Sequence, residues 1–146
     1  MKAPSGSMML GAVMSGGAIG SLLRHLVSVA LDDRAMLALG IVNVTGALLL
    51  GVLFARLDPR APGLLAAELE LVDLPAIDPR RRWALGVFAV GGLGAFTTYS
   101  SFLLEVVVRL QQGDWTVALL FLVGSILAGI LAFGVGVLAG TGLVRR

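Results

Sequence analysis

Long apolar stretches alternate with short polar ones along the chain. A bilayer core of about 30 Å needs about 20 mostly apolar residues per helix. Four stretches meet that length, residues 8–31, 36–55, 83–110 and 116–144, and all five prolines fall outside them. Only "DDRA" separates the first from the second and only "QQGD" the third from the fourth, which predicts two tight antiparallel hairpins. The remaining link, 56–82, carries Pro59, Pro62, Pro75 and Pro79 around "LLAAELELVDL". Its leucines suit one short interfacial helix in a solvated connector. With no internal repeat or low-complexity tract, the pattern predicts an all-α membrane protein, a single four-helix transmembrane domain over residues 1–146.

The third stretch breaks the pattern. "GGLGAFTTYSSFLLE", residues 91–105, puts three glycines and then five hydroxyl-bearing residues into an apolar span. Gly91, Gly92 and Gly94 lower helix propensity, and the β-branched pair Thr97 and Thr98 does not restore it. A break near mid-membrane is the expectation. Such breaks are tolerated where the backbone is buried in protein or lines a cavity, and their carbonyls commonly bind a cation. The alternative is a continuous helix that uses its glycines for packing and bonds its hydroxyls back to the i−4 carbonyl.

Composition supports the membrane class. Residues are 58% hydrophobic and 14% charged, where a soluble domain carries roughly 25% charged. Twenty glycines suit helices whose backbones approach closely in lipid. With no cysteine, a disulfide framework, a thiolate metal site and a Cys nucleophile are excluded. The basic balance reports topology rather than nucleic acid. Lys2, Arg56, Arg60, Arg80, Arg81, Arg82, Arg145 and Arg146 lie on one side of the predicted spans, and Arg24, Arg34 and Arg109 lie towards the other. Basic residues favour the cytoplasm, so both termini are expected there.

Polar groups within spans are costly and mark functional positions. Asn43, near the middle of the second span, is either interhelical glue or an amide donor on an anion path. Tyr99 and Phe102, three residues apart, fall on one helical face, as packed core or as ring edges offered to an anion. Arg24 either snorkels to the headgroups or supplies positive potential at a pore mouth. The single histidine, His25, has no cysteine or carboxylate cluster beside it with which to hold a metal. Glu105 and Arg109 have the i,i+4 spacing of an ion pair. No His can be paired by motif with a Ser and an Asp, no carboxylate pair sits within a span, and "GGLGAF" lacks the third glycine and strand context of a dinucleotide fingerprint, so the chain is not expected to be an enzyme.

Taken together, "GGAIGSLLRH", "VNVTGALLLG" and "GGLGAFTTYSSFLLE" resemble the Fluc (CrcB-type) fluoride channels of bacteria. The family pattern is a GG-x-x-G-x-x-x-R stretch, a mid-span VN-x-x-G, and a G-x-x-TTFSTF-x-x-E signature, in that order and spacing. The resemblance implies an antiparallel dimer of four-helix subunits with two fluoride pores and a sodium ion, Na+, at the centre of the interface. By the same resemblance, the carbonyls of Gly94 and Thr97 would face the sodium and Asn43 would donate to fluoride. Tyr99 and Phe102 would offer ring edges to the pores, Ser125 would face a pore, and Arg24 would stand at a vestibule. The implied role is passive fluoride export across the cell membrane, which relieves fluoride toxicity.

This chain departs from the pattern at three positions. Tyr99 replaces the first phenylalanine of the signature, Leu39 a threonine, and Phe121 a polar aromatic. Its basic residues also divide eight to three between the two sides, as enumerated above, which opposes insertion in both orientations. The expected partner is therefore a homologous subunit of opposite orientation. Two other readings are a small multidrug-type proton antiporter, for which the first span lacks an acidic residue, and a non-conducting structural membrane subunit.

Overall fold

The computed structural model describes residues 6–32, 34–57 and 85–144. They form α1 (Gly6–Ala30), α2 (Ala35–Leu57), α3 (Leu85–Leu93), α4 (Gly94–Phe96), α5 (Ser100–Gln111) and α6 (Trp115–Val144). Four spans are long and apolar enough to cross a membrane: Gly6–Ala30, Ala35–Arg56, Val87–Gln111 and Trp115–Gly142. The third comprises α3, α4 and α5 and contains the expected break, at Thr97–Tyr99. Apart from Arg56 and Leu57 at the end of α2, the 56–82 connector and the interfacial helix expected there lie outside the described residues.

The turns are short, as expected, but the first hairpin is not a packed pair. α1 packs chiefly against α3 and α4, and α2 packs along α6, while α1 and α2 touch little. Small residues determine this pairing. A Cβ on Gly16 or Gly20 of α1 would strike the carbonyl of Val87 or Gly92, and one on Gly51 of α2 or Gly136 of α6 would strike the carbonyl of Phe133 or Leu48. Both interfaces are thus backbone against backbone, the contact that lipid-embedded helices use when burial of apolar surface gives no drive. The glycines at 91 and 92 belong to this packing, and the break falls after them.

Two further local features shape the third span. α3 is wound as a π-helix over nine residues, a rare, wider winding that tends to occur at functional sites. Beyond α5, Gly113 takes φ 83°. The Gly113 N–H donates to the Leu110 carbonyl at 3.1 Å and the Asp114 N–H to the Arg109 carbonyl at 3.0 Å. This is a Schellman stop, in which glycine at the left-handed position ends the helix within "QQGD".

Candidate functional site

The break is built by competition for two backbone N–H groups. In an unbroken helix the Thr98 N–H would donate to the Gly94 carbonyl and the Ser101 N–H to the Thr97 carbonyl. Instead, the Thr98 N–H donates to Asn43 Oδ1 at 2.9 Å, and the Ser101 N–H donates to Thr98 Oγ1 at 3.2 Å. The carbonyls of Gly94 and Thr97 are thereby left without their usual i+4 donors. Asn43 Nδ2 also donates to the Thr98 carbonyl at 3.1 Å, so one amide side chain holds both backbone polar groups of Thr98. Thr97 ends α4 with an extended backbone, φ −75° and ψ 158°.

Thr97 and Thr98 divide the remaining work. Thr97 Oγ1 donates back to the Leu93 carbonyl at 2.9 Å, the i−4 bond considered for an unbroken helix, here beside a break. Thr98 Oγ1 donates to Ser101 Oγ at 3.0 Å while capping α5, as hydroxyls do at helix starts. Thr98 is buried, with 7% of its surface exposed. Gly46, one turn after Asn43 on α2, lies against the Thr97 Cγ2 methyl with no room for a Cβ. Asn43 and Gly46 therefore act as a pair, one bonding the break and the other admitting it.

The site residues fall into separate places. Asn43, Gly94, Thr97 and Tyr99 line one groove of about 360 Å³. Ser125 lines another of about 410 Å³, beside Phe121, Ile41 and Val44. Phe102 reaches the second group through its ring contact with Phe121, centroids 5.1 Å apart and planes at 49°. Tyr99 and Phe102 do not share surroundings, despite their spacing: Tyr99 is 74% exposed and Phe102 only 5%. The reason is local, since Tyr99 precedes the first residue of α5, whereas Phe102 lies inside that helix. Arg24 lines neither groove and is half-buried.

The Glu105–Arg109 ion pair forms, with Arg109 Nε to Glu105 Oε1 at 3.1 Å, and Asp114 lies 3.8 Å from the same guanidinium. Asp114 was not singled out in the sequence. Neither was Thr98 as the partner of Asn43, and no local signal could have linked residues 55 apart. The i,i+3 spacing of Asn43 and Gly46 is the one trace that the sequence carried. Among the described residues no three His, Cys, Asp or Glu side chains gather to hold a metal. The donor set at the break is instead neutral carbonyl and hydroxyl oxygen, a hard set suited to an alkali cation and not to a soft metal.

Residues 11–137 match the family described as "CrcB-like protein, Camphor Resistance (CrcB)". The chain is 34% identical over 139 residues to a "Fluoride-specific ion channel FluC" of Magnetococcus marinus, covering 91% of this chain and 98% of the relative. Proteins of the same name from Stutzerimonas stutzeri and Gloeobacter violaceus are 37% and 35% identical, covering 86% and 90% of this chain and 90% and 94% of theirs. These relatives are named ion channels and not enzymes, and with four spans of sufficient length this is a multi-pass membrane protein. Matched across most of its length by the family and by such relatives, the chain belongs to the CrcB-like family.

Proposed function

We propose that this chain is a subunit of a fluoride-selective channel in the bacterial cell membrane, through which fluoride leaves the cytoplasm passively. Similarity to relatives named as fluoride-specific channels, over most of the chain, carries the reading. Fluoride is small and strongly hydrated, so a pore must exchange its water for hydrogen-bond donors without binding it too tightly to release it. Asn43 has a second Nδ2 hydrogen beyond the one given to Thr98, and it lines a groove with the ring of Tyr99. Phe102 and Ser125 supply a ring edge and a hydroxyl near the other groove, and Arg24 positive potential towards the end of α1. The neutral carbonyls of Gly94 and Thr97 fit a sodium ion, which would neutralise the dipoles that the break exposes and hold two subunits at their centre.

The working assembly is an antiparallel dimer with both termini of this chain in the cytoplasm. The eight-to-three division of basic residues supports a homologous partner of opposite orientation. Fluoride efflux from liposomes, with chloride as control, tests both statements when run on this protein alone and together with an inverted homologue. Selective fluoride loss only in the mixture is the expected result. Flux from this chain alone, with both orientations present, overturns the heterodimer, and absence of fluoride flux from both preparations overturns the channel.

A further inference from the structure

We propose that Asn43 and Thr98 are positioning residues for the cation, in addition to any part that Asn43 plays on the anion path. The inference rests on the reading of the Gly94 and Thr97 carbonyls as sodium ligands. A carbonyl already accepting a hydrogen bond within a helix is a poor ligand, because the cation must compete with the N–H that it holds. Here each of the two carbonyls is separated from its i+4 donor by one side chain. Asn43 Oδ1 takes the Thr98 N–H that Gly94 would otherwise receive, and Thr98 Oγ1 takes the Ser101 N–H that Thr97 would otherwise receive. Asn43 Nδ2 on the Thr98 carbonyl then fixes the peptide on the far side of the break.

The arrangement makes the cation site depend on α2, a different span, through a single amide. Removing Asn43 returns the Thr98 N–H to Gly94 and lets the third span close towards a continuous helix. Removing the Thr98 hydroxyl does the same for Thr97. The cation must then break a hydrogen bond to bind, a net cost of about 1 kcal/mol per bond, or roughly a fivefold to tenfold loss of affinity.

The test is a sodium titration of the purified channel, assembled as it functions, with potassium replacing sodium at constant ionic strength and the thermal unfolding midpoint as readout. Wild type should be stabilised by sodium more than by potassium. Asn43→Ala and Thr98→Val should each raise the sodium concentration of half effect by roughly fivefold to tenfold, and Thr98→Ser, which keeps the hydroxyl, should restore it. If Asn43→Ala does not fold, Thr98→Val and Thr98→Ser decide the question. Unchanged sodium midpoints in the folded members of Asn43→Ala and Thr98→Val overturn the positioning role. A wild type with no preference for sodium overturns the sodium reading and this proposal together, and leaves fluoride conduction standing.

Discussion

The two halves of the third span are held in place by different means. Before the break, α3 and α4 lie against α1 with backbone on backbone, so that Gly16 and Gly20 have no space for a side chain. After it, α5 is held by side chains: Phe102 and Val106 pack with Ala118 of α6, and Leu103, Leu110, Phe121 and Leu122 surround them. A backbone contact has one solution, whereas a side-chain cluster has several of similar volume. The first half is therefore a fixed abutment and the second an adjustable one, and the hydrogen bonds of Asn43 fall where they meet.

The largest effect is expected where the fixed abutment is altered. Gly20→Leu places its side chain on the Gly92 carbonyl, and neither helix can yield without separating. Loss of the folded protein on size exclusion is the expected outcome; a stable, monodisperse variant would show that the contact is not obligatory. In the adjustable half, Phe102→Ala should cost about 3 kcal/mol or more in unfolding stability, and Phe102→Leu less than about 1.5 kcal/mol. Equal losses for the two would erase the distinction between the halves.

Smaller effects sharpen the comparison at its edges. Glu105→Gln removes the shorter of the two ion pairs of Arg109, and with the guanidinium partly exposed it should cost no more than about 0.5 kcal/mol. Tyr99→Phe removes a hydroxyl from a ring that is 74% exposed on the protomer. Stability should stay within about 0.5 kcal/mol, and fluoride efflux should be equal or faster. A marked loss of efflux would make the tyrosine hydroxyl a working donor.

The spans were legible because hydropathy over twenty residues is a strong signal, and their ends came within two residues wherever both are described. That the third span breaks was legible too, but its place and cause were less so. Glycine propensity drew attention to residues 91–94, yet in lipid those glycines serve close approach. The break itself comes from acceptors that outcompete helical carbonyls, one on the same strand of sequence, Thr98, and one on another span, Asn43. The π winding of α3 left no trace, since in an almost wholly apolar nine-residue stretch a wider turn changes no polar pattern. The separation of Tyr99 from Phe102 was hidden for a related reason. The i,i+3 rule holds within one helix, and the helix begins between them.

The bond between Asn43 and Thr98 also has a consequence in time. The two residues are 55 positions apart, so at the pace of synthesis, about 5–20 residues per second, Asn43 is made roughly 3–11 s before its partner. During that interval a polar amide sits in a span whose surroundings offer it little, at a cost that only the arrival of the second hairpin removes. A chain that has made only its first two spans thus holds an amide without this partner, and the finished chain does not.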